Sequence, residues 1–230
     1  MPLLATGVFA ANKLSDIRTT RTKHNIAALL KDFRFASNAK IRYKAFAVKA
    51  DAEGYAGMAN LFRAAELSEG IRAAKQAKVI EALGAVPTVK LATPTVKTTD
   101  INLSAAMTFE RLAILHLEQA LAFNRAMKTA QIRDSEKVAG SDMPPAFAKQ
   151  ILADENEIAV MSFKGALAVV TSHTDFLYPA RRAKFDSWKA KRKFRVCQTC
   201  GYISSYTQGK LNVIVCPICS QPLSLRKPVE

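Results

Sequence analysis

The chain has 230 residues, enough for one sizeable helical domain with a small module appended. Apolar residues make up 49 %, so a core can form, and 34 Lys and Arg against 19 Asp and Glu leave a net charge of +15. That charge points to a polyanionic neighbour such as RNA, an anionic membrane surface or an acidic protein, and says nothing about fold. No apolar run reaches the roughly 18 residues of a membrane-spanning helix, and the N-terminal segment lacks the long apolar stretch of a secretory signal.

Residues 1–24 read as a basic arm. Lys13, Arg18, Arg21 and Lys23 lie among Ser and Thr, with Asp16 the only acid. The composition suits a mitochondrial presequence or a disordered arm equally. Helical periodicity starts at about Asn25 and runs to Asp51, with Ile26, Leu29, Leu30, Phe33 and Ile41 on the apolar stripe. Gly54 breaks it. A second helix is expected from about Ala56 to Leu83, ended by Gly84 and Pro87. Glu53, just before it, reads as an exposed or capping acid. "GAVPTVKLATPTVKTTDIN" follows, an extended connector long enough to cross a bundle from end to end. A third helix is expected from about Leu103 to Ala130, with Thr99 or Asp100 as N-cap. A fourth is expected from about Ala146 to Leu177, closed by Pro179. Two helices, a long crossover and two more helices make the layout of a ferritin-like four-helix bundle, so residues 25–180 are expected to form one.

Residues 181–195, "RRAKFDSWKAKRKFR", form a basic linker. Arg181, Arg182, Lys184, Lys189, Lys191, Arg192, Lys193 and Arg195 face only Asp186, with Phe185, Trp188 and Phe194 interleaved. Either this is a solvated hinge, or its cations neutralise phosphates while its aromatics stack on unpaired bases.

The tail, 196–230, holds all four cysteines as two CxxC pairs, Cys197/Cys200 and Cys216/Cys219. Two such turns place four thiolates at the corners of a tetrahedron, the geometry of Zn²⁺ or of a single Fe. Gly209 and the run Val213, Ile214, Val215 give the intervening segment hairpin character. Clustered, metal-spaced cysteines point to an intracellular protein rather than a secreted disulfide scaffold.

Several stretches resemble the rubrerythrin family. "EGYAGMANLFRAAELSEGIRAAKQ" is similar to its second helix, "DINLSAAMTFE" to the start of its third, and "KFRVCQTCGY" with "CPICSQP" to its two rubredoxin knuckles. The resemblance spans about Asn25 to Arg226. It implies a mainly α fold, a ferritin-like bundle with a small C-terminal rubredoxin-like or zinc-ribbon β module. It also implies reduction of peroxide at a di-iron site fed by the tail iron.

That chemistry needs carboxylates and imidazoles to balance two ferrous ions in a low-dielectric bundle. The family's pattern is a Glu on the first helix, ExxH on the second, ExxE on the third and ExxH on the fourth. Its positions fall here on Ala36, on Glu69 and Arg72, on Glu110 and Ala113, and on Val170 and His173. Glu69, Glu110 and His173 keep ligating side chains; they are either residual metal ligands or hydrogen-bonded core residues. Arg72 cannot ligate iron, and it is expected to replace the metal by pairing with Glu110 or Glu69.

Two functions follow as expectations. One is a structural subunit without a di-iron centre, carrying one Zn or Fe in the tail and docked in a larger protein or ribonucleoprotein assembly, in the mitochondrion if the arm is a presequence. RNA contact and a homodimer made through the crossover belong to this reading. The other is a rubrerythrin-type peroxide reductase with an altered site.

Overall fold

A computed structural model describes residues 3–139, 156–205, 215–222 and 226–229. Helix α1 spans Leu3–Ala52, α2 Ala56–Ala82, α3 Thr99–Ala139 and α4 Asn156–Arg182. A 3-10 turn, Phe185–Lys189, then leads to strands β1 (Phe194–Cys197), β2 (Ile203–Ser205) and β3 (Arg226–Val229). The strands form an antiparallel sheet in the order β2-β1-β3. None of the described helices is long and apolar enough to cross a membrane.

The elements arise largely where the periodicity places them. Helix α3 is longer at both ends than the expected Leu103 to Ala130, so Thr99 and Asp100 form its first turn rather than cap it. Three further differences have visible causes. First, α1 begins at Leu3 rather than at Asn25, so the basic segment continues the helix. Tertiary contact supports this extension. Arg21 and Asn25 are fully buried, and Asn25 joins Asn124 of α3 and Asn156 of α4 through amide hydrogen bonds of 2.7–3.1 Å. Second, α4 runs through Pro179 to Arg182. The proline removes one N–H so near the helix end that the buried Ala180 still holds the last turn. The expected start of this helix at Ala146 lies outside the described residues, as do Gly209, Val213 and Ile214 of the expected hairpin. Third, Glu53 does not cap α2. Its carboxylate accepts the Thr99 N–H at 2.8 Å, at the start of α3. The hydrogen bonds from Thr99 hold its pKa at about 2.

Between α1 and α2, Gly54 adopts φ +77°, which lets Gly54 and Tyr55 return hydrogen bonds to Asp51 and Ala50 and reverses the chain. Between α2 and α3 the extended crossover runs along α1, where Ala92 N–H donates to Asn38.

Two apolar cores result. One packs Tyr43, Phe46, Phe62, Leu103 and Leu177 together with Trp188, Phe194, Val196 and Ile203, so the tail module shares the bundle's own core. The other holds Leu29, Ile80, Leu117, Phe163 and Val170. On every helix the two are separated by a buried polar position: Asp32 on α1, Glu69 and Arg72 on α2, Glu110 on α3 and His173 on α4.

The linker is docked rather than a free hinge. Trp188 is 5 % exposed, and Asn60 donates to the carbonyl of Arg192 at 2.8 Å. Gly57 of α2 makes room for the crossing: a Cβ there would lie 2.4 Å from Ala190 O and 2.9 Å from Trp188 O. Trp188 is the only tryptophan, so its fluorescence reports the docking alone. Gly57→Ala is expected to cost about 1–3 kcal/mol of stability, by overpacking, and to shift Trp188 emission to the red. Unchanged emission in a chemically stable variant would contradict the docked strap.

Two candidate metal centres

The tail knuckles are built alike. Cys197 N–H bonds to Tyr202 O at 3.0 Å and Gly201 N–H to Cys197 O at 2.8 Å; Cys216 with Gln221, and Ser220 with Cys216, repeat the pattern at 2.8 Å. Each turn closes on a residue of positive φ, Gly201 at +89° and Ser220 at +56°. Gly201 is also fixed by crowding, since a Cβ would meet Ser68 O at 3.0 Å. The four sulfurs converge, with Cys197 and Cys219 Sγ 3.6 Å apart and Cys200 and Cys216 Sγ 3.5 Å apart. A tetrahedron of thiolates about 2.3 Å from its ion has edges of roughly 3.8 Å, so the cluster fits one Zn or Fe. Backbone N–H groups of Cys219 and Ile218 outweigh burial at Cys216 and bring its thiol down to about 7, while burial pushes Cys200 up.

The second centre is the polar layer of the bundle. Arg72, 3 % exposed, donates through Nε and Nη2 to one Glu69 oxygen at 3.0 and 2.6 Å, and through Nη1 to Asp32 at 2.6 Å. The expected pairing with Glu69 is present. Glu110 is not an Arg72 partner; it accepts from the Tyr43 hydroxyl and from His173 Nδ1, the latter at 3.1 Å.

The protonation of His173 follows from its neighbours. The single hydroxyl proton of Ser68 is donated to Gly201 O at 2.5 Å, so Ser68 Oγ accepts from His173 Nε2 at 2.7 Å. Nδ1 hydrogen-bonds to the Glu110 carboxylate at 3.1 Å and has Glu69 Oε1 nearby at 3.3 Å. Both ring nitrogens therefore donate, and the ring is an imidazolium. Burial alone would lower its pKa, but the charges of Glu110 and Glu69 overcome that and raise it.

The layer thus sets three carboxylates against two cations. If every acid were ionised it would carry one unbalanced negative charge in a dry core. Burial pushes Glu69 up to about 7 despite Arg72, and it raises Asp32 too. Glu110 moves the other way: His173, Arg72 and Tyr43 together outweigh its burial and hold it low. Burial and Glu110 drive Tyr43 well up, so it stays a neutral donor.

Among the described residues, Glu69, Glu110 and His173 each bring a donor atom within 4.8 Å of the others, a spacing that can accept one ion if His173 gives up its Nδ1 proton. They are three of the seven positions that the rubrerythrin pattern assigns to ligands. Ala36, Ala113 and Val170 are buried and offer no donor atom, and the Arg72 guanidinium occupies the space between Asp32 and Glu69. His24 stacks on Phe123, and His116 bonds to Ala28 O at the edge of the layer, near enough to Asp32 for each to act on the other's charge.

No family model and no curated protein matches the sequence. Solved structures do. Nigerythrin in its fully reduced, all-ferrous state is 22 % identical over 89 % of this chain and 86 % of its own, with a TM-score of 0.63. Its mixed-valent and partially reduced states match over the same spans with TM-scores of 0.62. The chain has the nigerythrin fold. Nigerythrin is a rubrerythrin, so the ferritin-like bundle and rubredoxin-like module expected from the helix and knuckle motifs are the architecture found.

The residue that sequence reasoning missed is Asp32. The family pattern directs attention to Ala36, one helical turn later on the same buried face. The signal was an acid at i−4 from a core position on an otherwise apolar stripe.

Two outcomes are expected. Arg72→Met leaves Asp32 and Glu69 buried without their cation and should cost about 3–5 kcal/mol, most of it recovered when Asp32→Asn and Glu69→Gln are added. A single variant as stable as the parent in urea would contradict the pairing. The pH dependence has a definite sign. His173 and Glu69, both raised, contribute stability at acidic pH that is lost as pH rises through their folded values. Glu110, lowered, contributes stability that is lost only in acid. Cys216, lowered to about 7, contributes in the opposite sense, so the contribution of His173 is read by difference: the parent should lose melting temperature relative to His173→Gln as pH rises above the ordinary histidine value of 6.5. A parent that gains on the variant as pH rises would contradict the assignment.

Proposed function

We propose that this chain is a rubrerythrin-fold metal-binding protein that does not reduce peroxide. In this reading its bundle is closed by its own cations, and it serves as a structural subunit docked on a polyanion such as a ribonucleoprotein. The observation that carries it is the buried Arg72 fork between Asp32 and Glu69. A guanidinium keeps its proton at any ordinary pH, so it balances carboxylates permanently and offers iron no lone pair. The His173 imidazolium does the same for Glu110 as long as it stays charged. Cys197, Cys200, Cys216 and Cys219 then hold one ion, which ties the knuckles together; zinc would add folding energy only, and iron would add a one-electron couple.

The docking part rests on the strap. Arg181, Arg182, Lys184, Lys189, Lys191, Arg192 and Lys193 are exposed and Arg195 is half-buried. Arg192 lies over the Trp188 ring, 4.3 Å from its centroid, so the strap presents its charges on a fixed backbone. Arg181 and Lys189 have acid partners in Asp100 and Asp186; Arg182, Lys184 and Lys191 are the better candidates for phosphate.

A peroxide reductase with an altered centre is the competing reading, favoured by the convergence of Glu69, Glu110 and His173. Metal analysis with a peroxide assay separates the two. Purified protein reconstituted with ferrous iron is expected to hold one metal per chain, lost in Cys197→Ser or Cys216→Ser, and to consume no peroxide beyond a free-iron control. Iron beyond the tail site together with catalytic peroxide consumption would overturn the non-catalytic reading. Charge reversal at Arg182, Lys184 and Lys191 is expected to weaken binding to single-stranded RNA and to flatten its salt dependence. Binding that ignores those changes would remove the strap from the proposal.

A further inference from the structure

The outward face of α3 is apolar. Ile101, Leu112 and Leu115 are 47 %, 46 % and 50 % exposed and lie on one side of the helix. Single apolar side chains on a surface are ordinary, but these belong to a continuous heptad stripe. From Ile101 it passes through Ala105, Thr108, Leu112, Leu115, Gln119 and Ala122 to Ala126. Charged residues make up 23 % of the chain, yet none stands on this stripe, which covers roughly 38 Å of helix. Ala105 is half-buried and the rest are exposed. The other sides of the helix are occupied. Glu110, Ala113 and Leu117 are buried in the bundle, while Phe109, His116 and Phe123 turn to Arg42, Ala28 and His24 of α1. A contiguous apolar stripe of this kind marks an interaction surface. It carries no cation, so a polyanion does not suit it.

The charges beside the stripe select the occupant. Arg111 and Glu118 stand on one flank, exposed, and seven residues apart they share one heptad position. Neither has an ion-pair partner among the described residues. On one helix they are about 10 Å apart, too far to pair with each other. In a two-fold antiparallel pair of helices, side chains of the same flank face one another across the seam. Setting Leu112 opposite Leu115 of a second copy brings Thr108 opposite Gln119, Ala105 opposite Ala122 and Ile101 opposite Ala126. The same register brings Arg111 of each copy to Glu118 of the other, so the flank is complementary to itself. The Thr108 hydroxyl already donates to Ser104 O at 3.1 Å, which leaves its lone pairs for the Gln119 amide. One polar layer in an apolar seam fixes register and orientation. A parallel pair would bring Arg111 to His116 and Glu118 to Phe123, both engaged with α1, and would leave the two charges unmatched.

We propose that two copies of this chain associate through α3, antiparallel about a two-fold axis beside Leu112 and Leu115, with two Arg111–Glu118 ion pairs along one flank. The contact requires no exchange of helices. It shares no residue with either metal centre or with the strap, so it stands apart from the proposed function.

The test is sedimentation velocity of the full chain over a concentration series. The net charge of +15 on each copy opposes association, so the salt is set near 0.15 M, where charges more than about 8 Å apart are screened. A monomer–dimer equilibrium is expected. Arg111→Glu and Glu118→Arg each set like charges together twice per dimer and should raise the dissociation constant by about tenfold or more, with the helical circular dichroism unchanged because both side chains are exposed. Mixed in equal amounts, the two variants should associate with each other, since every flank contact is then between opposite charges; a fluorescent label on one of them reads the mixed dimer. Leu112→Glu should leave the chain monomeric. Three outcomes would each overturn the proposal. They are a parent that stays monomeric at the highest soluble concentration, a dimer indifferent to both charge reversals, and a mixture of the two variants that associates no better than either alone.

Discussion

A guanidinium buried between two carboxylates governs the middle of this bundle. A charge in a dry core is tolerated only when it is paired and its hydrogen-bonding groups are used. Arg72 is paired with Glu69 and Asp32 through three of its five N–H groups. The constraint propagates. Glu69 shares the layer with His173, His173 must then be doubly protonated, and Glu110 is held low by the imidazolium and by Tyr43. Each of the four helices contributes to this one layer, and apolar cores above and below seal it from water. The layer selects the register of the helices, because sliding any one of them by a turn would bring a charge against alkyl side chains.

The same layer reaches the tail. Ser68 connects His173 to the carbonyl of Gly201, the residue after Cys200. Gly57 and Asn60 fix the strap that leads there, and Trp188, Phe194 and Val196 join the bundle core. The knuckles are therefore seated on α2 and α4. An ion in the cysteine cluster would stabilise a surface that the bundle shares, so the tail metal acts on the whole fold rather than on an independent appendage.

Much of this was legible in the sequence. Apolar spacing places the bodies of all four helices, the two prolines of the crossover exclude a helix there, and paired CxxC turns leave little room for anything but a metal. Glu69 and Glu110 could be put inside because they extend apolar stripes, and His173 was placed by the family pattern. Three features were not read. Asp32 occupies a position where the family pattern looks one turn later, so its acid went uncounted. Helix α1 reaches back to Leu3 because Arg21 and Asn25 find partners on α3 and α4, and no local propensity encodes that. The docking of the strap depends on Gly57, whose lack of a side chain has meaning only once the chain returns across α2. For the last two the information lies in contacts between distant residues, whereas Asp32 carried a local signal that was passed over.

The central claim is that cations of the protein close the polar layer. Anomalous scattering at the iron edge, from crystals grown with excess ferrous iron, tests it most directly. The account expects one peak per chain, amid Cys197, Cys200, Cys216 and Cys219, with guanidinium density joining Asp32 to Glu69. A peak bounded by Glu69, Glu110 and His173, with Arg72 turned away, would contradict it.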